Sequence, residues 1–197
     1  MQMKLNLLLI VTALASLTLF SSLKKKNASI EKEPLSEVER NAYKKLAKLC
    51  LNKRDNSRLD SFFDQLNNYD NSEDYASTLH YVIDLCSQRN IHLFNDFDHK
   101  YGAEDFAWIM PKILKRNFRT KVKFPKRRTF DRATTISMDG VFESFEKPLN
   151  EKGLTMGLID TESDSYVILI HEIINTKTVS KHVQQLGYSY LKLVSED

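Results

Sequence analysis

Apolar and polar residues recur along most of this chain with a period that changes from helical to extended. Between Ser36 and about Lys53, Val38, Ala42, Leu46, Leu49 and Cys50 share one helical face, and Pro34 with Ser36 marks the start. Leu59, Phe62, Phe63 and Leu66 repeat that spacing and predict a second helix, capped by Asn56 or Ser57. A third, capped by Ser72, carries Ala76, Leu79, Val82, Ile83 and Cys86 and ends near Gln88. Ile91–Phe97 is short and apolar, a strand or an extended linker. A fourth helix spans Ala103–Phe118 with Phe106, Met110, Ile113 and Leu114 inward; Pro111 should kink it or mark a second start. Val141, Phe142, Phe145 and Leu149 give a fifth, stopped near Gly153.

The period then shortens. Leu154–Ile159 and Tyr166–Ile173 are expected strands joined by a polar link. A sixth helix carries Val179, Val183 and Leu186, with Gly187 at its C-terminal cap, and Tyr188–Val194 is a last strand. The expected fold is α+β: N-terminal helices, followed by a small, mostly antiparallel sheet within an α-β-β-α-β C-terminal part. Residues 35–197 are expected to form one domain behind a polar linker at 27–34, whose Asn27-Ala28-Ser29 fits a glycosylation sequon.

One stretch has no polar face. Leu5–Leu23, LNLLLIVTALASLTLFSSL, carries no charge and is followed by Lys24, Lys25 and Lys26. As a helix it would span about 28 Å, close to a bilayer core. Residues 1–26 are therefore expected to be a single-pass signal anchor, or a signal peptide cleaved after Ala13-Leu14-Ala15 with the domain periplasmic or secreted. No cysteine lies nearby to carry a lipid anchor. The lysines after the run favour a cytoplasmic domain, whereas the signal-like start favours export.

Charge is unevenly distributed. Lys112–Arg132 holds ten of the chain's 29 Lys and Arg residues and a single acid, Asp131, so the rest of the chain is net negative although the total is +3. Within it Arg119, Lys121, Lys123, Lys126, Arg127 and Arg128 are the candidate partner-binding residues, interleaved with Phe118, Phe124 and Phe130. Such a segment suits an acidic protein surface or, beside a membrane anchor, anionic lipid. Single-stranded nucleic acid could also use the cations and aromatics, but no helix-turn-helix, zinc-finger or RNP motif supports it. The alternative is a solvated face with the phenylalanines in the core.

The link in LIDTESDSYVILI (Leu158–Ile170) places Asp160, Glu162 and Asp164 at alternate positions, where they would share a face of an extended chain. Asp160 and Asp164 are thus candidate metal ligands, with His171 nearby in sequence, for a metal-dependent hydrolase. The EF-hand pattern fails, since Ser165 replaces the turn glycine and His171 the final glutamate. A plain hairpin turn is the competing reading. His92, Asp96, Asp98 and His99 form a looser set, without metal-binding spacing. Cys50 and Cys86 lie on apolar faces, as buried thiols or, after export, as a disulfide pair. The chain has no nucleophile elbow, P-loop or dinucleotide fingerprint, and no cofactor is implied.

GAEDFAWIMPKIL (Gly102–Leu114) and KGLTMGLIDTESDSYVILIHE (Lys152–Glu172) together resemble a bacterial domain-of-unknown-function family, number 6630. Trp108, Asp160, Ser163, Asp164, Ser165 and Tyr166 fill the places of its Trp-containing helix and its hairpin, and the resemblance covers roughly residues 72 to 194. The family brings no activity with it. The expected function is a membrane-associated or exported, non-enzymatic interaction protein, of which an immunity-type inhibitor is one concrete form.

Overall fold

The computed structural model describes residues 33–192. Six helices and four strands follow one another as α1 (Glu37–Cys50), α2 (Lys53–Asp64), α3 (Thr78–Gln88), β1 (Asn95–Asp98), α4 (Ala103–Asn117), α5 (Val141–Asn150), β2 (Leu154–Asp160), β3 (Ser165–Glu172), α6 (Thr176–Gln185) and β4 (Ser189–Lys192). The fold is α+β, and all three strand pairings are antiparallel in the order β1-β3-β2-β4.

Both faces of the sheet are covered, which explains why β3 is almost continuously apolar. Successive strand side chains point to opposite faces. Ile159, Val167 and Leu169 join the buried residues of α1, α2, α3 and α6 on one side. Met156, Ile168 and Ile170 join those of α4 and α5 on the other, where Phe106 and Phe145 meet edge-to-face at 4.8 Å. Cys50 and Cys86 both lie in the first of these cores as free thiols, pushed up to about 12 by burial.

Several boundaries differ from the sequence expectation, each for a local reason. Helix α1 stops at Cys50 because Asn52 caps α2, its Oδ1 accepting from Asp55 N–H at 3.0 Å. Ser77, not Ser72, caps α3; Ser72 closes a turn, its Oγ accepting from Tyr75 N–H at 3.1 Å. Val38 is exposed, and α1 buries Ala42, Tyr43, Leu46, Ala47 and Cys50 instead. Helix α4 continues through Pro111. No helix among the described residues is long and apolar enough to cross a membrane. The apolar run Leu5–Leu23, with its anchor or signal reading, lies outside the described residues.

Candidate partner-binding surface

The connection from α4 to α5 leaves the helix at Phe118, turns at Arg119 in the left-handed region at φ 53, and runs without helix or strand to Lys126. Its alternation sorts the side chains. Thr120, Val122 and Phe124 are half-buried, whereas Arg119, Lys121 and Lys123 are exposed. A one-turn 3-10 helix, Arg127–Thr129, follows, and the chain then returns to α4, where Ala103 N–H donates to Thr134 O at 2.9 Å. All three phenylalanines of the basic segment pack inward. Phe118 lies against the α4–α5 core, and Phe124 and Phe130 meet Phe145 at 5.3 Å and 5.9 Å.

The cations divide into two groups. Arg116 is half-buried and committed within the chain: its Nε donates to Asp55 Oδ2 at 2.7 Å, and Nη2 reaches Oδ1 at 3.1 Å. The Arg116 guanidinium, then Asn52, holds the almost fully buried Asp55 carboxyl down at about 2. Arg127 faces the first turn of α4, 3.4 Å from Asp105 and 3.7 Å from Glu104, and Lys112 lies over the Trp108 ring. By contrast, Arg119, Lys121, Lys123, Lys126 and Arg128 are exposed and form no ion pair with any described acid. Five of the six candidate partner-binding residues therefore present uncommitted positive charge along one ribbon, and the sixth, Arg127, is tethered within the chain.

The acidic link between β2 and β3 is organised differently. Asp160 Oδ1 accepts from Glu162 N–H at 3.0 Å, which closes an Asx turn and lets Glu162 take a left-handed φ of 56. Ser163 bridges Thr161 and Ser165 through hydroxyl contacts of 2.8 Å and 3.2 Å. The Asp164 carbonyl accepts from both His99 N–H, at 3.1 Å, and His99 Nδ1–H, at 3.0 Å, fastening the link to the end of β1. His171 lies at the far end of β3, six residues beyond Ser165 and hence about 20 Å away along the strand. Asp160, Asp164 and His171 are thus not brought to one point. Among the described residues no group of three or more His, Cys, Asp or Glu could hold a metal ion.

His171 serves a polar cluster that the sequence pattern did not reveal. Its Nδ1–H donates to Glu172 O at 2.9 Å, so Nε2 is the acceptor for the Tyr190 hydroxyl at 2.8 Å. Burial lowers the His171 pKa and raises that of Tyr190. The Tyr190 ring covers Gly157, where a β-carbon would come within 2.1 Å of it. Glu146 completes the arrangement. Strand β4 pairs with β2 only from Gly157 to Asp160, and beyond it Glu146 Oε2 accepts from Met156 N–H at 3.0 Å while Oε1 accepts from the Thr155 hydroxyl. Burial raises the Glu146 carboxyl above the usual range, opposed by those two hydrogen bonds. An isolated glycine inside an apolar strand was the available signal for this close approach.

At the start of the ribbon lies a groove of about 580 Å³, walled by Phe118, Leu154, Ile173 and Ile174, with Lys152 and Glu172 at its charged rim. Thr120, between Arg119 and Lys121, also lines it.

Fold and surface together define a helix-covered antiparallel α+β scaffold carrying a cationic ribbon over its α4–α5 layer. Residues 33–193 match the family described as Domain of unknown function (DUF6630), and the chain belongs to that family. Neither the curated proteins nor the solved structures contain a significant match to the chain.

Proposed function

We propose that this protein is a non-enzymatic interaction protein that docks an acidic protein surface on the ribbon Arg119–Arg128, at a membrane or after export as its N-terminal run directs. One observation carries this reading: Arg119, Lys121, Lys123, Lys126 and Arg128 are exposed without an internal acid. Clustered cations of this kind repel one another and gain from an external partner of opposite sign, which speeds encounter and fixes register. The phenylalanines argue against single-stranded nucleic acid, because stacking needs free ring faces and Phe124 and Phe130 are packed on Phe145.

The test is affinity purification of the tagged full chain from its native cells, beside a Lys121→Glu/Lys123→Glu/Lys126→Glu variant. The reading expects one stoichiometric acidic partner, weakened by added salt and lost from the variant while its melting temperature is kept. Retention of the same partner by the variant would remove the ribbon as the docking surface.

A further inference from the structure

Resting on that reading, the geometry points to the kind of partner segment the surface accepts: an acidic peptide bearing one large apolar side chain, which enters the groove where the ribbon starts at Thr120.

The groove is apolar where a side chain would rest and cationic where the peptide would continue. Phe118, Leu154 and the two isoleucines supply the walls. Ile174 is 88% exposed and Ile173 42%, although both sit in a short 3-10 turn that is held firmly in place. Ile173 N–H donates to Gly153 O at 2.8 Å, and the Thr176 hydroxyl donates to Ile173 O at 2.7 Å. Gly153, at a φ of 71, is the residue that lets α5 end and β2 begin against this turn. The backbone at Ile173 is therefore tied on both sides, by one backbone and one side-chain hydrogen bond, before any partner arrives, which lowers the ordering cost of binding.

Charge selects the occupant. Lys152 lines the groove, and Thr120 on its wall is the chain neighbour of the exposed Arg119 and Lys121, where the ribbon starts outside the groove. Glu172 is the one acid lining it, with Oε2 accepting from Asn175 Nδ2 at 3.3 Å. An acidic peptide would thus run toward the ribbon and away from Glu172. A bilayer takes up protruding side chains but does not fill a concavity, so the groove favours a protein segment over a lipid surface.

The experiment uses the full chain and two fluorescein-labelled synthetic heptapeptides, DEEFEED and its counterpart DEEAEED, titrated by fluorescence anisotropy. The phenylalanine peptide is expected to bind about tenfold more tightly than the alanine peptide. Ile174→Asp, at a position too exposed to disturb the core, should abolish that difference. Lys121→Glu should weaken both peptides, and Glu172→Gln should strengthen both. Equal binding of the two peptides would overturn the groove and leave the charged ribbon standing. Binding of neither at millimolar concentration would overturn both readings. Binding to phosphatidylserine-containing vesicles without binding to either peptide would make this a lipid-facing surface and also overturn the proposal.

Discussion

The acidic stretch Asp160–Asp164 and the ribbon Arg119–Arg128 each gather charges of one sign, and they differ in what those charges meet. In the link, the Asp160 carboxylate closes a turn on Glu162 N–H and the Asp164 backbone carbonyl receives two hydrogen bonds from His99, which leaves the exposed Glu162 and Asp164 carboxylates without an ion pair among the described residues. In the ribbon, Lys121, Lys123, Lys126, Arg119 and Arg128 meet only solvent among the described residues. Polar residues that the chain itself satisfies are accounted for by folding. Five like charges on one short segment repel one another, and they are the ones that gain from a partner outside the chain. Arg116 shows that the distinction cuts through the basic segment too, because its guanidinium makes two hydrogen bonds to the buried Asp55 carboxylate.

The largest expected effect tests that internal pair. Arg116→Ala leaves a buried carboxylate with only Asn52 and Arg58 and should lower stability by about 3 kcal/mol in chemical denaturation. The same pair fixes a pH dependence. The Asp55 carboxyl is depressed from 3.8 to about 2, so its contribution is complete above the unfolded value and is lost as pH falls through the folded one. Stability should therefore drop by about 2 kcal/mol between neutral pH and pH ~2 from this group alone. Asp55→Asn should flatten that part of the profile; an unchanged profile would show that the pair is not the source.

Phe124→Ala comes next, at about 2 kcal/mol, from the loss of packing on Phe145. Capture of the partner by the folded variant should persist, since the ring faces inward. Loss of binding without loss of stability would turn the phenylalanines into contact residues and blur the comparison. A smaller effect belongs to the hairpin: Asp160→Ala should cost about 1 kcal/mol through the broken turn, and Asp160→Asn less, because its amide oxygen can still accept from Glu162 N–H. Neither the wild type nor Asp160→Asn should gain melting temperature on adding calcium, magnesium or zinc. A rise confined to the wild type would restore the metal reading. The smallest effect on stability is expected for Lys121→Glu, Lys123→Glu and Lys126→Glu, each within about 0.5 kcal/mol.

Much of this was legible in the sequence because it depends on neighbours within a few residues. The six helices, the β2–β3 hairpin and the final strand follow from spacing, and so does the inward set Phe106, Met110, Ile113 and Leu114 on α4. What the pattern could not show were partners far apart in the chain. Arg116 finds Asp55 across 61 residues, Arg127 finds Asp105 across 22, and His171 finds Tyr190 across 19. Sequence spacing therefore grouped Arg127 with the five cations that pair with no described acid, and placed His171 with acids that stand at the other end of its strand. The helix starts were misplaced for a related reason. Ser72 and Ser77 are equally good caps by type, and only the turn that Ser72 closes on Tyr75 decides between them.

The most direct measurement of the central claim is quantitative acylation footprinting of lysines, on the purified full chain and on the same protein in intact native cells. The account predicts that Lys121, Lys123 and Lys126 react fully when purified and are protected in cells, while Lys44, already paired with Asp64, changes little between the two states. Equal reactivity of the three ribbon lysines in both states would contradict it, because a ribbon that meets no partner where the protein works is only a solvated face.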